Sequence, residues 1–140
     1  MKIAIVNGPN LNLTGHRQKD IYGSETFENY IPALREMFPQ HDIAYFQSNV
    51  EGELINMLHE CKSQERMVLL NAGGYTHTSV ALRDAVAAID LPVIEIHMSQ
   101  IAAREEFRRT SFVGAACVGS IAGFGMDSYR LGILALESLS

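Results

Sequence analysis

The sequence predicts an α/β domain built on a parallel sheet with helices on both faces. Two patterns carry this. Five short apolar runs alternate with amphipathic ones along the 140 residues. Polar residues then gather directly after the apolar runs, not inside them. Strands that alternate with helices form βαβ units, and a parallel sheet needs cover on both faces, which gives three layers. A chain of this length can bury a core without metal or disulfide staples, so residues 1–140 are expected to fold as one domain.

The elements follow in order. Ile3 to Val6 reads as a buried strand stopped by Asn7-Gly8-Pro9. Residues 8–24 then form a long loop, and loops of this length are usually functional lids. Thr26 can cap a helix whose inward face is Phe27, Tyr30, Ile31, Leu34 and Phe38, closed by Pro39. Ile43 to Phe46 is the second strand. Ser48 or Asn49 opens a helix with Leu54, Ile55, Leu58 and Cys61 inward. Met67 to Leu70 is the third strand, ending at Asn71-Ala72-Gly73-Gly74. Thr78 or Ser79 opens a helix carrying Val80, Leu82, Val86 and Ile89, and Pro92 to Ile96 is the fourth strand. A polar segment with a helical turn runs from Ser99 to Arg109. Val113 to Ile121 is the expected fifth strand and Ser128 to Leu139 the closing helix. Five strands in this arrangement suggest a flavodoxin-like, doubly wound, five-stranded parallel sheet with right-handed crossovers.

Composition narrows the functional classes. The net charge is −5 and no run of Lys or Arg stands out, so the basic face that a nucleic acid requires is missing from the pattern. No apolar stretch approaches the length of a membrane span, and the N-terminal apolar run is too short for a signal peptide. Cys61 and Cys117 form no C-x-x-C pair and read as free thiols in a reducing, cytoplasmic setting. The five histidines show no H-x-x-x-H or H-x-H spacing, and neither G-x-G-x-x-G, G-x-x-x-x-G-K-[ST] nor G-x-S-x-G occurs. No metal is expected.

In a sheet of this type ligands bind beyond the C-terminal strand ends. Those ends carry Asn7 to Asn12, Gln47 to Asn49, Asn71 to His77, and Glu95 to Ser99. Glu95 and His97 are two apart on a strand and so share a face. A carboxylate beside an imidazole fixes its tautomer and favours its protonated form, which suits a general acid; the competing reading is a surface ion pair. His77, after the Gly-rich turn, reads equally as a ligand contact or as a helix-start histidine satisfied by local backbone. Arg17 and Tyr22 in the long loop are a weak signal by spacing. A nearby guanidinium favours a phenolate and can make it a usable base, but a packed tyrosine in a solvated loop has the same pattern. Arg104 and Arg108, four apart, would share a face of a helical turn and could clamp a hydroxyl or carboxylate beside a polar crevice.

Four blocks together resemble type II 3-dehydroquinate dehydratase: NGPNLNLTG at 7–15, QSNVEGELI at 47–55, NAGGYTHTSVALRDA at 71–85 and EIHMSQIAAREEFRRTS at 95–111. A weaker fifth block is GSIAGFGMDSY at 119–129. The resemblance implies a single catalytic domain that dehydrates 3-dehydroquinate to 3-dehydroshikimate by anti elimination through an enolate, without cofactor, in the shikimate pathway or in quinate breakdown. It implies Tyr22 as the base, Arg17 as its activator and Asn10 as the holder of a water on the enolate oxygen. It implies His97 as the acid, oriented by Glu95. Asn71, His77, Met98, Ser99 and Arg108 would bind substrate, Arg104 would lie next to the tyrosine, and Asp84 would reach a neighbouring subunit's site. The assembly implied is a homo-oligomer of trimers grouped into a dodecamer. The chain departs from the family's usual pattern at Gln18, Lys19, Asp20, Gln100 and Thr14.

Two other readings are a flavodoxin-like module for flavin or phosphate transfer and a catalytically inactive relative. The first lacks a Ser/Thr-rich or aspartate-rich loop at Asn7 to Asn12, and the second is opposed by the matched Tyr22, Arg17 and His97.

Overall fold

The computed structural model of the chain describes residues 1–16 and 25–140. Five parallel strands lie in the order 2-1-3-4-5. They are β1 (Lys2–Asn7), β2 (Asp42–Gln47), β3 (Met67–Asn71), β4 (Val93–His97) and β5 (Gly119–Ala122). The α-helices are α1 (Phe27–Met37), α2 (Glu51–Gln64), α3 (Val80–Ile89) and α4 (Asp127–Leu139). This is the three-layer, doubly wound α/β arrangement that the alternating pattern predicts.

Strand alternation divides the core in two. Ile3, Ile5, Leu69, Ile94 and Ile96 pack against α1 and α4, with Leu34, Tyr129, Ile133 and Leu136 completely buried. Ala4, Val6, Val68 and Leu70 face α2 and α3, meeting Leu54, Leu58, Leu82 and Ile89. Each fully buried aliphatic side chain contributes about 1.5–3 kcal/mol relative to exposure, so both faces of the sheet are firmly anchored.

Helix starts follow the sequence in two of three cases. Thr26 Oγ1 accepts from the Asn29 amide at 3.3 Å, and Ser79 Oγ accepts from the Leu82 amide at 2.9 Å. At α2 the cap position falls to Val50, and Ser48 acts two positions earlier by accepting from the Val50 amide at 2.9 Å. Val80 is exposed and Ala85 takes its expected place in the core.

The fifth strand is the main difference from expectation. The expected Val113 to Ile121 strand is shortened to Gly119–Ala122, because Gly114–Ala116 folds into a 3-10 turn. Val113 is buried from the turn side, so its apolar character reflects core packing without strand pairing. The segment after β4 likewise forms two short 3-10 turns, Ile101–Ala103 and Glu106–Arg109, with Arg104 and Glu105 extended between them. Arg104 and Arg108 therefore do not ride one continuous helical turn.

Candidate active site

β1 and β3 lie side by side, while their outgoing chains run to opposite faces of the sheet: β1 continues toward α1, and β3 continues toward α3. Divergence of this type opens a crevice at the carboxyl ends of the strands. A cleft of about 190 Å³ occupies that position. Its walls come from the loop after β1 (Asn10, Leu13, Thr14), the turn after β3 (Asn71, Gly73, His77), the end of β4 (His97, Met98, Ser99) and the two arginines Arg104 and Arg108.

The loops are held by close backbone contact. Gly8 donates its amide to the Asn71 carbonyl at 2.7 Å. A Cβ on Gly8 would stand 2.5 Å from the Ala72 carbonyl oxygen, so only glycine lets the two loops meet. Asn10 sits in the left-handed region (φ 69°), which asparagine tolerates, and its amide donates to Asn49 Oδ1 at 3.0 Å. Gln47 Nε2 braces the same loop by donating to the Gly8 carbonyl at 3.1 Å.

The floor is a buried polar network that the sequence pattern did not disclose. Asn7 and Asn71 are register partners at the ends of β1 and β3. Tyr129 reaches up from α4 and bridges them: its hydroxyl donates to Asn7 Oδ1 at 2.8 Å and accepts from Asn71 Nδ2 at 2.9 Å. Asn71 Oδ1 accepts from the Gly73 amide at 3.2 Å. Complete burial of Tyr129 drives its phenol pKa far upward, so this tyrosine is a neutral structural link. One clue existed: Asn7 and Asn71 are polar residues closing otherwise apolar strands.

The acid–base pair is formed at β4. Glu95 and His97 are both buried, and His97 Nε2 lies 2.9 Å from Glu95 Oε2. The carboxylate stands off the ring N–H axis, so the contact is a close approach without a straight hydrogen bond, and Nε2 has no hydrogen-bond partner among the described residues. Burial alone would raise the Glu95 pKa. The adjacent His97 and donation from Ser111 and Ser120 outweigh it and bring the group down to about 2. Glu95 is therefore a carboxylate at neutral pH. The His77 ring stacks near that of His97, with centroids 6.4 Å apart, and His77 Nδ1 meets the Thr110 carbonyl at 2.8 Å. His77 thus lines the cleft, with its ring held by a backbone carbonyl 33 positions away and not by local backbone.

The remaining cleft groups are cationic or polar. Arg104 Nη1 donates to Ser99 Oγ at 3.2 Å. Arg108 pairs with Glu105 and lies with its Cζ 5.1 Å from the centre of the Phe107 ring. Two guanidiniums and two imidazoles around a small polar cleft suit an anionic, hydroxylated ligand.

The class II dehydroquinase family model matches residues 1–137. The chain belongs to that family. It is 47% identical over 142 aligned positions to a 3-dehydroquinate dehydratase of Pelodictyon phaeoclathratiforme, covering all of this chain and 94% of the relative. It is likewise 47% identical to a 3-dehydroquinate dehydratase of Carboxydothermus hydrogenoformans, covering 97% of this chain and 90% of that one. The crystal structure of a type II dehydroquinase from Butyrivibrio crossotus superposes with a TM-score of 0.95 at 38% identity, over 98% of this chain and 97% of that one. Dehydration of 3-dehydroquinate is the reaction of this dehydroquinase family.

Of the site residues expected from the sequence of this dehydroquinase, Asn10, Asn71, His77, His97, Met98, Ser99, Arg104 and Arg108 all line the cleft, and Glu95 backs His97 from beneath. Asp84 lies on the exposed side of α3 and does not line the cleft of its own chain. Arg17 and Tyr22 fall outside the described residues. Among the described residues no group of three His, Cys, Asp or Glu side chains is placed to hold a metal ion.

Proposed function

We propose that this chain dehydrates 3-dehydroquinate to 3-dehydroshikimate by anti elimination through an enolate, with all 140 residues acting as one catalytic domain. The carrying observation is the Glu95–His97 pair, buried at the end of β4 and opening into a cleft lined by Arg104 and Arg108. A protonated imidazole held by a carboxylate can give its proton to a departing hydroxyl. The surrounding cations suit a substrate that carries a carboxylate.

The steps are assigned to the residues matched by the sequence blocks. Tyr22, its phenolate favoured by Arg17, takes the C2 proton, and the electron pair passes into an enolate. Asn10 holds a water against the enolate oxygen, supported by the position of Asn10 on the cleft wall. Collapse of the enolate expels the hydroxyl with a proton from His97, leaving a conjugated enone and one water. Asn71, His77 and Arg108 take ring hydroxyls, while Ser99 and the Met98 amide take the carboxylate. Fixed polar groups placed where charge develops provide the rate enhancement, and no cofactor enters this route.

The exposed position of Asp84, away from its own cleft, supports its service in a neighbouring subunit and hence a trimer-based dodecamer. Two free thiols, Cys61 and Cys117, fit a reducing cytoplasmic setting. No helix among the described residues is long and apolar enough to cross a membrane.

The test is direct. Purified protein mixed with 3-dehydroquinate and no added metal is expected to raise near-ultraviolet absorbance as the enone forms. A folded protein that produces no rise overturns the proposal.

A further inference from the structure

Glu95 has an environment of its own, separate from the substrate-facing groups. Its Oε2 accepts from Ser111 Oγ at 2.5 Å and faces His97 Nε2 at 2.9 Å, and its Oε1 accepts from Ser120 Oγ at 2.6 Å. The direction of the Ser111 bond is fixed by a second contact. Ser111 Oγ accepts from the Gly114 amide at 2.8 Å, so its single hydroxyl proton points to Glu95. Gly114 closes the box. A Cβ there would stand 2.5 Å from Glu95 Oε1 and 2.9 Å from Ser111 Oγ, so the backbone lies directly over the carboxylate. Ser111, Gly114 and Ser120 all come from the segment that leads into and through β5, and none of them lines the cleft.

We propose that Ser111 and Ser120 are positioning residues of this enzyme: their hydroxyls hold Glu95 as an oriented carboxylate, and Glu95 in turn holds His97 ready to donate. The inference rests on the assignment of His97 as the acid. A buried carboxylate without donors prefers its neutral form, and a neutral Glu95 no longer favours the imidazolium. The titratable groups facing Glu95 from the packed elements are His97 on its own strand and Cys117 ahead of β5. The Cys117 thiol is pushed up to about 12 by burial and then by the Glu95 charge, so it stays neutral. His77 lies beyond, across the His97 ring. Among the described residues the two serine hydroxyls donate to Glu95, one on each oxygen, and His97 approaches Oε2 alone.

The experiment compares kcat and KM across pH for the wild type, Ser120→Ala, Ser111→Ala and Ser120→Thr, with the Glu95 carboxyl titrated by 13C NMR in the same proteins. Each alanine variant is expected to lower kcat by about tenfold, the factor carried by one unit of pKa, while the acid limb of kcat stays with the Tyr22 base. KM should hold, because neither serine touches substrate. The Glu95 carboxyl should titrate higher by the same amount, and Ser120→Thr, which keeps the hydroxyl, should restore both readouts. A merely structural role would lower the melting temperature and leave the Glu95 titration in place. An active wild type whose alanine variants keep the same kcat and the same Glu95 titration overturns the inference while leaving the dehydratase assignment intact. A wild type that does not turn over 3-dehydroquinate overturns both. If Ser111→Ala fails to fold, having lost the Gly114 contact as well, the Ser120 pair decides the matter alone.

Discussion

The hydroxyl of Tyr129 accepts a hydrogen bond from the Asn71 side-chain amide at 2.9 Å, tying the closing helix to the floor of the cleft. The same hydroxyl donates to Asn7. Replacement by phenylalanine would leave a buried amide proton and a buried carbonyl oxygen without a partner. Such groups cost about 1–3 kcal/mol each to bury unsatisfied. Tyr129→Phe is therefore expected to lower the urea midpoint clearly and the melting temperature by several degrees. Unchanged thermal and urea unfolding would show that water or a local shift replaces the phenol.

Removing the proposed acid acts on the chemical step. His97→Ala is expected to lower kcat by about 10²- to 10⁴-fold, the range for loss of a general acid, while KM changes little. A rise in KM at constant kcat would mean that His97 only binds.

The base system is expected to behave in the same way. Tyr22→Phe and Arg17→Ala should both depress kcat far more than they affect KM, since both act on proton removal. Arg17→Ala that alters KM alone would remove Arg17 from the activating role.

Glu95 gives stability a pH dependence of known sign. Its pKa in the folded protein lies near 2 against an ordinary 4.5. The folded state thus favours the charged form, and this contribution is complete above about pH 4.5 and is lost as pH falls toward 2. Urea unfolding followed from pH 6 downward should show a steeper loss for the wild type than for Glu95→Gln, which cannot titrate. Parallel curves for the two proteins would place the acid sensitivity elsewhere.

Gly8 tests the meeting of the two loops. A methyl group there would stand 2.5 Å from the Ala72 carbonyl oxygen, a backbone atom that cannot swing away. Gly8→Ala is expected to cost at least about 1–3 kcal/mol by overpacking and to lower kcat/KM by displacing Asn10 and Asn71 together. Full activity and stability would show that the loops can separate without harm.

Much of this arrangement could be read from the residues, and the exceptions have physical causes. β1, β3 and β4 are visible because burial on both faces demands continuous apolar runs such as Ile3 to Val6. The start of β5 is misplaced because Gly119 and Ser120 are small and exposed, whereas the apolar Val113 ahead of them packs from a turn. Glu95 and His97 were legible through strand alternation, a local rule. The Asn7–Tyr129 link was not, since its partners are 122 positions apart and no periodicity connects them. Ser111 and Ser120 escaped notice for the same reason. A serine in sequence carries no mark of the carboxylate that it will meet.

That 122-residue separation also orders events in time. Chains emerge from the ribosome N-terminus first, and β1, an inner strand of the sheet, is made well before α4. Yet Asn7 gains its buried partner only when α4 has been synthesised and has docked. Nascent chains lacking Tyr129 would carry every cleft-lining residue and still have an unfinished floor. Competence for turnover should therefore appear only once α4 has docked, although none of its residues lines the cleft.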